Sequence, residues 1–351
     1  MTFGTTVLSL LLLVIEAEAA CFSVAPSALR AHVEFLSSDE LAGRPTPSKE
    51  LDIAAEYIAV QFRRAGLDPQ PDGTYFQAGG KPRTRNVIAV LKGSDPKLAD
   101  QYVLLTAHYD HIGKARQGEG DLINNGANDN ASGVSSMIEI AGLLASAKPA
   151  PRRTIVFIAF YGEELGLFGS RFYAKHPVFP VEKTVAQLNL EQTGRTDDLE
   201  GSNAGIMNVS GFKYSQVANI LWTAAAPCGI RVVERPKWTD EAFERSDNEA
   251  LAKRGIPAHT LSAAYMFPDY HKPADEWQKL DYDNMAKFTA AAAAGALAIA
   301  NRIEPPHWLT GAPASLTRGP AETAPQSPSP LPASTSHSPA VQTSPAPEVV
   351  R

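Results

Sequence analysis

Apolar residues recur along the middle of the chain at the spacing typical of helices. Between residues 51 and 65 they return every three or four positions, and Gly66 ends the pattern as a C-cap glycine would. The same spacing appears at 134–144, and an alanine-rich segment covers 285–301. We predict a helix for each of these segments and a further helix over 165–175.

Short apolar runs of a second kind lie between these segments and predict strands. They cover residues 86–91, 102–107, 155–160, 184–190 and 256–262. The run at 155–160 is continuously apolar, which is typical of a strand covered on both faces. Because strands and helices alternate, the pattern predicts an α/β fold: a single domain with a mostly parallel (mixed) central sheet flanked by helices.

The N-terminal segment is interpreted as an export signal. Residues 7–15 form a largely apolar run, too short for the roughly 20 residues that span a bilayer. A cleavage pattern, AEA, follows at 17–19, so 1–20 is predicted to be a signal peptide and the protein to be secreted or periplasmic. Two alternatives stay open: a buried N-terminal strand or helix, and a lipid-anchored form at Cys21.

The C-terminal segment 306–351 is dominated by Pro, Ser, Thr and Ala. Such a composition cannot bury enough apolar surface to offset the entropy lost on ordering, so we predict a disordered tail. Residues 21–305 then remain for the folded domain. No segment predicts a transmembrane helix, and nothing in the pattern indicates an oligomeric state.

Charge and cysteine content narrow the classes of function. The formal net charge of the 351 residues is −6, without a strongly basic block, which argues against nucleic acid as a partner. The two cysteines are too few for a disulfide framework or a cysteine-based metal site. Any metal site would therefore be built from histidine and carboxylate.

Potential metal ligands follow the predicted strands. They are His108, Asp129, Glu164, Glu191 and His271, with Glu163 beside Glu164. His108, for example, directly follows the strand at 102–107, and Asp129 precedes the helix at 134–144. Ligands of open α/β sheets bind at the carboxyl ends of the strands, so we expect these side chains to meet at that edge.

Taken singly, each of these residues has an ordinary structural explanation. An isolated histidine is usually a hydrogen-bonded structural or surface residue, and adjacent acids such as Glu163 and Glu164 usually begin a helix. Their combination indicates a metal site, in which Asp110 can accept a hydrogen bond from the second ring nitrogen of His108. Two histidines and three carboxylates suit zinc, and less distinctively manganese or cobalt. One carboxylate shared between two ions would leave room for a water, as in two-metal hydrolysis.

Four motifs occur in order along the chain. They are AHYDHIG at 107–113, NDNASG at 128–133, GEELGLFGS at 162–170 and DYHKPADE at 269–276. Together they resemble the motifs of the co-catalytic zinc aminopeptidase family, which includes secreted bacterial leucine aminopeptidases, glutamate carboxypeptidase and the glutaminyl cyclases. The resemblance runs from about His32 to Ile303, nearly all of the predicted domain, so residues 21–305 resemble a zinc exopeptidase domain.

The resemblance implies a metal-binding role for five residues. Asp129 would bridge two Zn²⁺ ions. His108 and Glu191 would complete one site. Glu164 and His271 would complete the other. The family also implies a cis peptide bond between Asp129 and the residue that follows it.

The same resemblance implies the chemistry of the site. Glu163 would take a proton from the water that bridges the two ions and later hand it to the leaving amine. Tyr270 matches a tyrosine that hydrogen-bonds the tetrahedral oxyanion in some relatives, with a packing aromatic as the alternative. We therefore expect a metallo-aminopeptidase, a zinc-dependent exopeptidase that hydrolyses the N-terminal bonds of peptide substrates.

Three departures from the family pattern bear on function. Glu191 stands where many members have Asp, and its extra methylene changes the reach of that ligand and bears on substrate type. Asn248 follows Asp247 where many relatives have His, so Asp247 is expected only behind the ligands. Nine residues separate Phe76 from Asn86, too few for the protease-associated domain that some relatives insert there.

Alternatives to an aminopeptidase stay open. They are a carboxypeptidase or amidohydrolase of the same family, a single-zinc glutaminyl cyclase, and a non-catalytic binding or receptor domain on the same scaffold. The run from 164 to 170 resembles the peptidase form, whereas a cyclase would show an aromatic-rich continuation. An intact Glu163 argues against a binding domain, which needs no general base.

Overall fold

A nine-stranded sheet lies at the centre of the part of the chain that the structure describes. The structure is a computed structural model, which describes residues 21–199, 201–235 and 240–317. The strands of both sheets, in chain order, are β1 (Asp68–Pro69), β2 (Phe76–Ala78), β3 (Arg85–Leu91), β4 (Tyr102–His108), β5 (Thr154–Phe160), β6 (Thr184–Leu190), β7 (Asp197–Asp198), β8 (Gly201–Ser202), β9 (Ile206–Val209), β10 (Arg231–Val233) and β11 (Ala258–Ser262). Strands β7 and β8 pair only with each other among these, and the rest form the central sheet.

The middle of the central sheet is parallel, and its two sides are mixed. Strand β4 lies between β5 and β6 and is parallel to both, and β11 is parallel to β6. The direction reverses on either side, because β3 is antiparallel to β5 and β9 is antiparallel to β11. The predicted α/β fold with a mostly parallel, mixed sheet is confirmed, and the carboxyl ends of the four parallel strands meet at one edge.

Helices cover both faces of this sheet. They are α1 (Pro26–Leu36), α2 (Lys49–Arg64), α3 (Gly133–Ser146), α4 (Phe168–Lys175), α5 (Val217–Ala225), α6 (Asn248–Ala252), α7 (Tyr282–Asn301) and α8 (Ala314–Thr317). Side chains of β5 alternate between the faces: Ile155 and Phe157 pack with α2, α3 and α7, whereas Val156 and Ile158 pack with α4 and α6. All of β5 is buried, as its continuous apolar sequence predicted.

The predicted helices are present, but some of their ends differ from the prediction. Helix α4 begins at Phe168 rather than at 165, because Leu167 adopts a left-handed backbone with φ of 61°. Helix α1 was not predicted, although Leu29, Val33 and Leu36 lie on one buried face of it. None of the helices within the described ranges combines the length and apolar composition needed to cross a membrane.

The packed part of the chain extends beyond the boundary predicted at 305. The Trp308 indole Nε1 donates a hydrogen bond to the Gly255 carbonyl at 2.8 Å, and Leu309 N donates to the Tyr214 carbonyl at 2.7 Å. Leu316 is 4% exposed in the core beside α4 and α6. The predicted start of the tail is therefore too early, while residues 318–351 and the predicted signal peptide 1–20 lie outside the described residues.

A disulfide bond joins Cys21 to Cys228 across 207 residues of sequence. In this pairing the Cys21 sulfur is not free for a lipid thioether, so the structure does not support the lipid-anchored alternative. Disulfide bonds persist in oxidising compartments, which agrees with an extracellular or secretory environment.

Candidate metal centre

The predicted ligands meet at the carboxyl edge of the parallel strands. His108 is the last residue of β4, and Glu191 directly follows β6. Glu163 and Glu164 lie in the turn between β5 and α4, where Gly162 takes a left-handed φ of 68°. The segment Ala127–Ser132, which carries Asp129, leads into α3, and the loop that follows β11 carries His271.

These side chains form two groups that share one carboxylate. The first group consists of His108, Asp129 and Glu191, and the second consists of His111, Asp129, Glu164 and His271. Within each group the potential ligand atoms all lie within 4.8 Å of one another. Asp129 Oδ1 is 3.3 Å from His108 Nε2, and Asp129 Oδ2 is 3.1 Å from His271 Nε2. Asp129 thus turns one oxygen towards each group.

The donor atoms fit zinc. The Nε2 atoms of His108, His111 and His271 are buried and form no hydrogen bond of normal geometry with the described residues, although two of them lie close to Asp129. Buried polar atoms are rarely left without a partner, so three of them beside carboxylates fit the donor set of a metal ion. Imidazole nitrogen and carboxylate oxygen are both common zinc ligands.

His111 belongs to this centre although it was not among the predicted ligands. Its Nδ1 lies 2.7 Å from Oε1 of Glu164, and its ring is 5.4 Å from the ring of His271. The helices and strands predicted from the sequence do not indicate this contact, because 53 residues separate His111 from Glu164. The one sequence signal was the second histidine of the motif AHYDHIG.

Asp110 supports the site differently from the prediction. The nearest acceptor to His108 Nδ1 is the Asp110 backbone carbonyl at 3.2 Å, whereas Oδ1 of the Asp110 carboxylate is 3.7 Å away. That carboxylate instead accepts from the Glu163 backbone N–H and from the Thr46 hydroxyl, each at 3.1 Å. Asp110 therefore holds the backbone of the predicted base as well as the imidazole ring.

Two further side chains hold the acidic ligands in place. The Ser246 hydroxyl donates a hydrogen bond to Oε2 of Glu191. The buried Asp275 carboxylate accepts the backbone N–H groups of Asn128 and Asp129, each at 3.0 Å. Asp275 thereby fixes the segment of Asp129 against the loop that carries His271.

Arg44 lies fully buried beneath the same loops. Its guanidinium donates hydrogen bonds to the backbone carbonyls of Leu36, Tyr109, Asn125 and Gly126. Burial lowers the pKa of Arg44 to about 10, although neighbouring carboxylates such as Asp110 and Asp129 oppose the shift. The side chain is therefore still a cation at neutral pH.

The pKa values of the two adjacent glutamates shift in opposite directions. Burial raises the pKa of Glu163 well above its ordinary value, with repulsion from Glu191 adding to the effect. Burial and repulsion from Asp129 act to raise the pKa of Glu164, but the nearby imidazoles of His111 and His271 outweigh them and leave that pKa lowered. The shifts therefore favour the carboxylate form of Glu164 and make Glu163 the stronger base of the two.

A narrow cleft of about 60 Å³ opens beside the two groups. Asp129, Glu163, Glu191 and Tyr270 are among the residues that line it. The Tyr270 ring stacks on that of His271 with 3.9 Å between centroids. The tyrosine therefore both packs on a candidate ligand and faces the cleft.

Two other features of the sequence have defined places in the structure. The peptide bond between Asp129 and Asn130 is cis, as the family resemblance implied. Asp247 is fully buried, and burial raises its pKa to about 7. Asn248 makes structural contacts, accepting from the Thr260 hydroxyl at 2.8 Å and donating to the Phe243 carbonyl at 2.8 Å.

Comparison with known proteins supports a peptidase relationship. A family model described as peptidase family M28 matches residues 86–296. A probable zinc metalloprotease of Pyricularia oryzae is 30% identical over 301 residues, which are 78% of this chain and 56% of that protein. The chain thus spans little more than half the length of this relative.

Solved structures share the fold at low sequence identity. The Legionella pneumophila LapA aminopeptidase superposes with a TM-score of 0.66 at 22% identity, over 80% of this chain and 73% of that chain. A glutaminyl cyclase of Porphyromonas gingivalis superposes with a TM-score of 0.59 at 17% identity, over 79% and 98% of the two chains. At these identities the similarity establishes the fold alone.

Proposed function

The chain belongs to peptidase family M28, and on that premise we propose that it is a zinc-dependent aminopeptidase, which removes N-terminal residues from peptides. The observation that carries the proposal is the pair of ligand groups sharing Asp129, beside a half-buried Glu163 that lines the cleft and belongs to neither group. In this proposal His108, Asp129 and Glu191 would hold one zinc ion, and Asp129, Glu164 and His271 would hold the other. Three protein ligands for each ion are the usual number for catalytic zinc.

Glu163 is the proposed general base and acid. Bound zinc supplies Lewis acidity, which polarises a substrate carbonyl and makes a water molecule more acidic. The Glu163 carboxylate accepts a proton from the attacking water and later delivers it to the nitrogen of the leaving amine. Its raised pKa supports the first step, because a carboxylate that binds a proton more tightly is a stronger base.

Tyr270 is the proposed hydrogen-bond donor to the oxyanion that forms at the attacked carbonyl carbon. Burial raises the pKa of its phenol, with repulsion from Asp129 and Glu191 adding to the shift. The hydroxyl therefore stays protonated and keeps its donor hydrogen. Stacking on His271 restricts the ring to one orientation, which favours a fixed donor over a mobile one.

Zinc dependence is tested by removing and restoring the metal. Chelation should abolish the hydrolysis of a leucyl-amide, and titration with zinc should restore it, with activity rising towards two equivalents per chain. Full restoration at one equivalent would favour the single-zinc cyclase alternative instead. Full activity of the metal-free protein would overturn the proposal.

The direction of attack is tested by blocking each end of the substrate. An N-acetyl group removes the charge and the lone pair of the substrate amine, so acetylated leucyl-amide should react about 10–150-fold more slowly in kcat/KM. A peptide with a blocked C-terminus serves as the control and should remain a substrate. Equal rates for free and acetylated substrate would instead favour an amidohydrolase. Loss of hydrolysis only when the C-terminus is blocked would favour a carboxypeptidase, and Glu191 would then be the first residue to exchange for Asp.

A further inference from the structure

Arg245 lines the same cleft as the proposed catalytic residues. It directly precedes Ser246 in the sequence, and the Ser246 hydroxyl donates a hydrogen bond to the Glu191 carboxylate. It is exposed, and no described carboxylate lies within ion-pair distance of its guanidinium. A cation therefore lies at the edge of the cleft, one residue from a contact to a proposed zinc ligand.

Arg245 differs in charge from everything else that lines this cleft. The other charged residues on its wall are Asp129, Glu163 and Glu191, which belong to the metal centre. The remaining wall combines the polar side chains of Gln192, Ser246, Thr260 and Ser262 with two tyrosines, two alanines and Met266. Pockets that bind aliphatic side chains are mostly apolar, so this wall fits a polar ligand better than a leucine side chain.

We propose that Arg245 recognises a carboxylate of the substrate, so that the cleft prefers peptides with an acidic group close to the scissile bond. This inference rests on the proposed peptidase function, because it assigns the substrate of that same cleft. A guanidinium binds a carboxylate through two parallel hydrogen bonds, whereas it repels an ammonium group. The carboxylate has two sources in a peptide: an acidic side chain on the N-terminal residue, or the C-terminus of a dipeptide.

Paired substrates distinguish these two sources. Glutamyl-amide is compared with glutaminyl-amide, which has nearly the same shape without the charge, and leucyl-glycine is compared with leucyl-glycine amide. The charged member of one pair should be preferred by the wild-type protein. Arg245→Met should reduce that preference about 10–150-fold in kcat/KM, because this is the effect expected from the loss of one charge-assisted hydrogen bond. Arg245→Lys should retain part of the preference, because it keeps the charge but not the fork geometry.

Arg231→Met is the matched control, because this arginine is exposed on β10 and does not line the cleft. It should leave the preference unchanged. A wild-type protein that prefers the neutral member of both pairs would overturn the proposal. So would an equal loss for the charged and neutral substrates in Arg245→Met.

A binding measurement keeps this inference separate from the proposed activity. Calorimetry with the zinc-loaded protein compares glutamate with glutamine, and leucyl-glycine with its amide, in wild type and Arg245→Met. A carboxylate preference that disappears in the variant supports the role of Arg245, even if no peptide is hydrolysed. In that case the aminopeptidase proposal fails alone. Hydrolysis of neutral substrates without any carboxylate preference in binding would overturn the Arg245 inference alone.

Discussion

Asp129 is the residue on which both ligand groups depend. Each of its carboxylate oxygens faces a different histidine, and Asp275 holds its backbone from the far side. The hydrogen bond from the Asp129 main chain to Asp275 therefore helps to orient the Asp129 side chain. Ligands held in this way lose little freedom on binding a metal, which favours affinity.

Substitution of the adjacent glutamates should separate catalysis from metal binding. Glu163→Gln should keep two zinc ions and lose about 10³–10⁴-fold in kcat, because one residue serves both proton transfers. Glu164→Gln should instead lower the zinc content, since an amide is a poorer ligand than a carboxylate. Zinc analysis together with kcat checks both expectations. An equal loss of zinc in the two variants would show that base and ligand have been assigned incorrectly.

His111 should tune the metal site through Glu164. Removing its Nδ1 contact in His111→Phe should weaken zinc binding about 10–100-fold at one of the two sites, the usual effect of losing a residue that orients a ligand. His111→Asn should recover part of the affinity by restoring a polar atom near the carboxylate. His176→Phe, at an exposed position after α4, is the control. Zinc titration with a chelating indicator measures the affinities, and unchanged binding in His111→Phe would contradict the role.

The sequence indicated these candidate ligands because most of them lie next to an element whose pattern is strong. His108 and Glu191 could be placed from the apolar runs of β4 and β6, which end beside them. Asp275 could not be placed in this way, because 146 residues separate it from the Asp129 backbone that it contacts. Arg44 was missed for the same reason, since three of its four acceptors are remote in sequence.

At the scale of elements, long and strongly patterned segments were predicted and short ones were not. Strands β5 and β6 are seven residues each and almost wholly buried, so their apolar runs are continuous. Strands β1 and β10 have two and three residues, too few to display any period. Their pairing depends on the neighbouring strands, which a local pattern does not contain.

Arg44 connects several elements, so its replacement should destabilise the fold. It joins the end of α1 to the loop after β4 and to the segment that leads to Asp129. Arg44→Met would leave four buried carbonyls without their donor, and we expect a loss of about 3–5 kcal/mol in unfolding free energy. Denaturant unfolding measures this, with the exposed Arg116→Met as control. A change below about 1 kcal/mol would contradict the role.

At the scale of the whole molecule, the C-terminal boundary of the fold is open to a direct test. A chain ending at 305 lacks the Trp308 hydrogen bond and the buried Leu316, so it should lose about 2–4 kcal/mol of stability. A chain ending at 317 keeps both and should unfold like the full-length protein. The disorder of residues 318–351 stays a prediction. Equal stability of all three chains would show that residues 306–317 contribute nothing.

The bond between Cys21 and Cys228 also determines what a single cut would do to this protein. The exposed residues 116–121 lie between the two cysteines, and exposed loop tips are the preferred sites of nicking by proteases. After such a cut the two pieces would still be one covalent molecule. We expect trypsin-treated protein to run as one band without reductant and as two bands with it, so that damage at this loop need not release either fragment.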